Sequence, residues 1–173
     1  MNFSPLMTFL FGSTRRFFGG IALYTALMLF VGWFLQSWVG LVPCALCIIQ
    51  RFFFAGVGAV ALVGWLQPRF EKITASLMLL LSLLGGGVAL RNVYIQLVPQ
   101  GLGSKCLPLL ESITDWITVL FQATGDCSQR DWTLIGLSVP EWSLLSFLFL
   151  IGMSIWFLAT QARSEAEKIN EAS

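Results

Sequence analysis

Cys44 and Cys47 stand three positions apart in the stretch VPCALCIIQR, Val42 to Arg51, and Arg51 follows four residues after the second cysteine. Two thiols with two residues between them can open and close a small-ring disulfide, so the spacing is that of a redox pair. On a helix Cys47 and Arg51 share one face, about 6 Å apart at the backbone. If that helix starts near Pro43, a favoured residue of a first turn, both cysteines lie where the helix N-terminus favours thiolate over thiol. A charged side chain within an apolar run is read as functional, here to hold a carbonyl oxygen of a bound acceptor beside the Cys47 sulfur. The plainer reading has Arg51, about 10 Å below the helix start, snorkelling outward along its own stem.

The elements that must position these residues follow from composition. Of the 173 residues 57% are hydrophobic and 11% charged, whereas a soluble domain is about a quarter charged. Charge-free runs long enough to cross about 30 Å of hydrocarbon predict four transmembrane helices, at about 17–35, 44–66, 73–90 and 141–160. The fold class is therefore an all-α membrane protein, a four-transmembrane-helix bundle forming one domain over 1–173. Arg15, Arg16, Arg69, Lys72, Arg163 and Lys168 flank the spans on one side, which the positive-inside rule makes cytoplasmic, together with both termini. The opposite side receives a short loop at about 36–43 and a long one at about 91–139, in which acidic residues outnumber basic ones.

The four cysteines, Cys44, Cys47, Cys106 and Cys127, all fall on that outer side or at its membrane edge. An even count in an oxidising compartment fits two bridges. Between Cys106 and Cys127, residues Leu109, Leu110, Ile113, Trp116, Ile117, Leu120 and Phe121 recur at helical spacing, which predicts a short amphipathic helix on the outer membrane surface in preference to the bundle top. A bridge joining these two cysteines would require the chain to double back after the helix, and Pro108 and Gly125 stand where it would turn. Gly85, Gly86 and Gly87, with Ala55 and Ala59, are expected to let helix backbones approach closely. Ser138 and Glu141 form a capping-box pattern at the start of the last span, next to Trp142.

The chain has no histidine, which removes the usual general base and the commonest metal ligand. No nucleic-acid patch, phosphate loop, haem motif or dinucleotide fingerprint is present, and STRRFF at Ser13 to Phe18 reads as positive-inside topology rather than an export signal. A disulfide pair at the membrane edge must pass two electrons onward to turn over. A lipid-soluble quinone fits that position.

PCALCIIQR, the later pair Cys106 and Cys127, GDCSQRDW around Cys127 and LSVPEW before the last span together resemble the bacterial disulfide bond formation protein B (DsbB) family, over essentially the whole chain. The resemblance implies a protein-dithiol:quinone oxidoreductase of the bacterial inner membrane, with its active cysteines on the periplasmic side. The DsbA–DsbB–quinone relay keeps the periplasm oxidising. By resemblance, a periplasmic DsbA-like protein is the partner and ubiquinone or menaquinone the cofactor. Reduced DsbA would attack a Cys106–Cys127 disulfide at Cys106, Cys127 would exchange with Cys44, and Cys47 would be left as a thiolate against the quinone, held by Arg51. Some family members carry a histidine just after the third span, where this chain has Arg91–Asn92, so protons must arrive by water or another group.

Three other readings compete. A four-thiolate metal site is disfavoured because the second pair is far apart and the compartment oxidising. A structural four-helix membrane protein with inert disulfides accounts for Cys106 and Cys127 but leaves Cys44, Cys47 and Arg51 without purpose. A vitamin K epoxide reductase relative shares the chemistry, but there the loop pair precedes the close-spaced pair.

Overall fold

The structure, a computed structural model, describes residues 13–40, 44–97 and 133–172. Among these it is helical apart from one short hairpin. Helix α1 spans Thr14–Trp38, α2 Ala45–Leu66, α3 Glu71–Leu97 and α4 Val139–Ala172, with a single 3-10 turn at Pro68–Phe70 joining α2 to α3. All four helices are long and apolar enough to cross a membrane, in agreement with the four-span, all-α class expected from composition.

The first, third and fourth helices outrun the charge-free windows. The third continues seven residues past Leu90 to Leu97, and the fourth runs to Ala172. A charge such as Arg91 leaves the backbone ladder intact, and the Glu, Lys and Ala residues of the last turns are good helix formers. The stretch 91–97, expected as loop, is therefore helix.

Lipid supplies no hydrophobic drive between helices, so the bundle is held by close packing. Phe17 on α1 stacks on Phe157 of α4 with ring centroids 4.5 Å apart, and Phe54 of α2 stacks on Phe147 of α4 at 4.2 Å. Glycines permit the tightest approaches. A Cβ on Gly58 of α2 would lie 2.7 Å from Thr25 Oγ1 of α1, and one on Gly85 of α3 would lie 2.4 Å from the Phe147 ring. Gly87 has open space around it, and Ala55 and Ala59 are exposed. The small-xxx-small pair Ala55 and Ala59 thus points away from the protein, because Val57 and Ala61, both fully buried, form the packed face of α2.

Polar contacts tie the helices at their two ends. At one end Thr14 Oγ1 donates to Glu71 Oε2 at 2.8 Å, and Lys72 pairs with Glu165. At the other end Ser138 Oγ donates to Gln96 Oε1 at 2.8 Å, joining the end of α3 to the start of α4. The Glu141 carboxylate accepts the Ser138 N–H at 2.6 Å. The carboxylate arm of the expected capping box is thus formed, while the Ser138 hydroxyl reaches across to α3.

Just before α4, Thr133 pairs with Ser138 and Leu134 with Leu137 in an antiparallel hairpin. Its turn residues, Ile135 and Gly136, both have positive φ, 56° and 81°, the conformation of a tight two-residue hairpin turn. Trp142 Nε1 donates to the Leu134 carbonyl at 3.2 Å and fastens this hairpin to α4.

Candidate functional site

Cys44 is the N-cap of α2, in extended conformation, and its sulfur accepts the N–H of Cys47 at 3.3 Å. Sulfur here takes the place that a Ser or Asp oxygen usually fills at a cap. The helix starts at Ala45, two residues later than Pro43 would set it, and Pro43 itself lies outside the described residues. Because the cap and the third helical position face each other, the two sulfurs come within 2.8 Å, as thiols in this structure. Cys44 is buried and Cys47 half-buried, packed with Leu46, Ile95 and Val88.

Arg51 lies one turn deeper and leans onto α1. Its Nη1 donates to Gln36 Oε1 at 2.6 Å and its Nη2 to the Gly32 carbonyl at 2.9 Å. The absence of a side chain at Gly32 makes room, since a Cβ there would sit 3.2 Å from Arg51 Nε. The guanidinium is thus anchored within the protein rather than reaching for water along its stem. It spends two of its five donors on α1.

A third group meets the sulfurs from α3. Asn92, fully buried, points its Nδ2 at Cys47 Sγ, 3.4 Å away, and at Cys44 Sγ, 3.7 Å away. Its Oδ1 has no hydrogen-bond partner among the described residues, and neither does the buried Gln50 Nε2 on α2. Asn92 lies two residues past Leu90, the end of the charge-free run, and so outside the expected third span, but inside the observed helix. Its match to the position where some family members carry a histidine, and its being a lone amide in a helix that continues, are the two signals that point to it.

Of the residues expected at the site, Cys44, Cys47 and Arg51 gather at one mouth of α2, whereas Cys106 and Cys127, with the segment between them expected to form an amphipathic helix, lie outside the described residues. The group is a dithiol at the membrane edge, hydrogen-bonded by a buried amide, with an anchored guanidinium one turn below. Such a pair can exchange disulfides on its open side and pass electrons to an acceptor on its membrane side. The fold and site define a membrane-embedded thiol oxidoreductase.

Comparison with known proteins gives the family. The model of the family described as "Disulfide bond formation protein DsbB" matches residues 14–157. The chain is 39% identical over 156 residues to disulfide bond formation protein B of Aromatoleum aromaticum, covering 85% of this chain and 93% of that protein. It is 40% identical over 153 residues to disulfide bond formation protein B of Azoarcus sp. strain BH72, covering 83% and 92%. Disulfide bond formation protein B 1 of Pseudomonas aeruginosa is 40% identical over 131 residues, 70% of this chain and 80% of that protein.

The chain belongs to the DsbB family. It is a multi-pass protein of the bacterial inner membrane and a quinone-dependent thiol oxidoreductase, the quinone-coupled oxidant of DsbA.

The site residues fit a quinone. A quinone offers two carbonyl oxygens that accept hydrogen bonds, and the quinol offers hydroxyls that donate them. Arg51 has donors beyond those it gives to α1, and the buried Asn92 Oδ1 is an acceptor with no partner among the described residues.

Proposed function

We propose that Cys44 and Cys47 are the pair that hands electrons to ubiquinone or menaquinone, and that Cys106 and Cys127 are the pair that takes them from a periplasmic DsbA-like protein. The observation that carries this reading is the meeting of the two thiols with an anchored arginine at the outer mouth of α2. In this account both termini are cytoplasmic, since Arg15, Arg16, Arg69, Lys72 and Arg163 cluster at the end of the bundle away from the cysteines.

The exchange steps follow from thiolate chemistry. A DsbA thiolate attacks Cys106 Sγ, which breaks a Cys106–Cys127 disulfide and leaves Cys127 as the departing thiolate. Cys127 then attacks Cys44 Sγ in the oxidised Cys44–Cys47 pair and frees Cys47 as a thiolate. The second DsbA thiol attacks the DsbA sulfur of the mixed disulfide, closing the DsbA disulfide and expelling Cys106 as a thiolate. The freed Cys106 thiolate attacks Cys127 and restores the outer disulfide, leaving Cys44 and Cys47 both reduced. Bound at this site, the quinone supplies a sink for two electrons and two protons. Cys44 and Cys47 close again into a disulfide and release those electrons and protons. Arg51, fixed on Gly32 and Gln36, binds an acceptor oxygen and offsets negative charge beside Cys47.

Trapping tests the assignment. A DsbA variant lacking its second active-site cysteine, mixed with the oxidised protein, is expected to be captured as a mixed disulfide that peptide mass spectrometry maps to Cys106. Capture on Cys44 or Cys47, with Cys106 free to alkylate, would overturn the order of the relay.

A further inference from the structure

Asn92 is a neutral residue buried in a membrane helix, and such a group needs a partner, because an unmet amide in an apolar surrounding is costly. The partners its Nδ2 has here are the two cysteine sulfurs, at 3.4 and 3.7 Å. A thiol sulfur is a weak acceptor, while hydrogen bonds to an ionised group are about twice as strong as neutral ones. The amide is therefore well satisfied only when one sulfur carries negative charge. Cys44 Sγ also accepts the Cys47 backbone N–H, so two N–H donors converge on a pair that α2 already places at its N-terminus. An asparagine side chain does not titrate, so this support is present at every pH at which a thiolate exists.

We propose that Asn92 is a positioning residue that makes the Cys44–Cys47 pair a stronger oxidant, by donating its amide to whichever sulfur is anionic in the reduced form. The proposal rests on Cys44 and Cys47 being a redox pair, but concerns their equilibrium with any dithiol and not their order in the relay. Stabilising the reduced form of a pair raises its oxidising power, as in DsbA. In the measured step, dithiothreitol gives two electrons to the Cys44–Cys47 disulfide. Its own two sulfurs join in a ring disulfide, the Cys44–Cys47 bond breaks, and the thiol protons pass to the cysteines or to solvent according to pH.

The test equilibrates the purified full-length protein in detergent, without added quinone, against graded mixtures of reduced and oxidised dithiothreitol over a pH series. Alkylation and mass spectrometry of the peptide holding Cys44 and Cys47 read the reduced fraction. A charged hydrogen bond is worth about 1.5–3 kcal/mol, so Asn92→Leu is expected to shift the equilibrium toward the disulfide by about tenfold or more at neutral to alkaline pH. Tenfold corresponds to about 30 mV. Asn92→Asp, which replaces the donor with an anionic acceptor, is expected to shift it at least as far. In acid, where both thiols are protonated, the variants and the parent should converge, which a purely packing role for Asn92 would not produce.

No shift at any pH, or one of equal size in acid, would overturn the proposal. Loss of the redox relay with this shift intact would refute the proposed function and leave the Asn92 inference standing. Should neither variant assemble, the parent protein decides. With asparagine labelled by nitrogen-15, only Asn2, Asn92 and Asn170 give side-chain amide signals, and that of Asn92 must move when the reduced pair ionises. A signal unmoved through that titration would overturn the inference as well.

Discussion

Replacing Gly85 with alanine should loosen the bundle, and the same change two residues on should tighten it. A Cβ at Gly85 would stand 2.4 and 2.5 Å from two Phe147 ring carbons and 2.9 Å from Phe53 Cβ. Ordinary contacts begin near 3.4 Å, so the ring would have to move by about 1 Å. It has no room to do so, being fully buried and stacked on Phe54 at 4.2 Å. Overpacking of this kind costs roughly 1–3 kcal/mol, and the upper part of that range applies. Against it stands the gain of about 1 kcal/mol for Gly→Ala in a helix interior. The balance for Gly85→Ala is a loss of about 1–2 kcal/mol. Gly87 meets nothing within 4 Å, so Gly87→Ala keeps only the gain. Unfolding in mixed detergent micelles, followed by circular dichroism with increasing denaturing detergent, should separate the two variants by about 2–3 kcal/mol. Equal stability of the two, or a more stable Gly85→Ala, would refute the close approach of α3 and α4 at this level.

Other expectations concern the site and the far end of the bundle. Cys44→Ser should abolish oxidase turnover while leaving stability within about 1 kcal/mol, because a serine oxygen is a preferred N-cap acceptor; thermal melting and thiol counting read the two separately. Arg51→Lys places one ammonium where a planar fork reaches both Gly32 and Gln36. With one charged hydrogen bond lost at a partly exposed site, KM for a quinone analogue should rise about tenfold in steady-state kinetics, with kcat changed less. Glu165→Gln removes the exposed partner of Lys72 and should alter unfolding by less than about 1 kcal/mol, a small change that high salt would erase.

Much of this architecture could be read directly from the residue pattern. Charge-free runs mark four membrane helices because a buried charge in hydrocarbon is expensive. The spacing of Cys44, Cys47 and Arg51 puts them at one helix mouth by the geometry of the α-helix alone. Tertiary choices were not legible in the same way. Arg51 could reach toward a ligand, toward water or toward a neighbouring helix, and only the packing of α1 against α2 brings Gly32 and Gln36 within its reach. Asn92 stands at the position where some family members carry a histidine, yet its place inside the helix is not legible in the sequence, because the neighbouring Arg91 closes the charge-free run although a charge does not stop a helix. The hairpin at Thr133–Ser138 is not legible in the sequence because its turn is Ile135–Gly136, whose first residue is β-branched and disfavours the positive φ it adopts. Ala55 and Ala59 have packing-motif spacing, yet which stripe of α2 faces its neighbours is set by the whole bundle.

Coupled turnover tests the central claim most directly. Purified protein in detergent is mixed with reduced DsbA and a ubiquinone analogue, while quinone absorbance and DsbA thiols are followed together, beside Cys47→Ser. The account predicts the loss of one quinone for each DsbA oxidised, since both are two-electron couples, and no reaction from the Cys47→Ser variant. Oxidation of DsbA that proceeds without quinone loss, or quinone loss undiminished in Cys47→Ser, would contradict it.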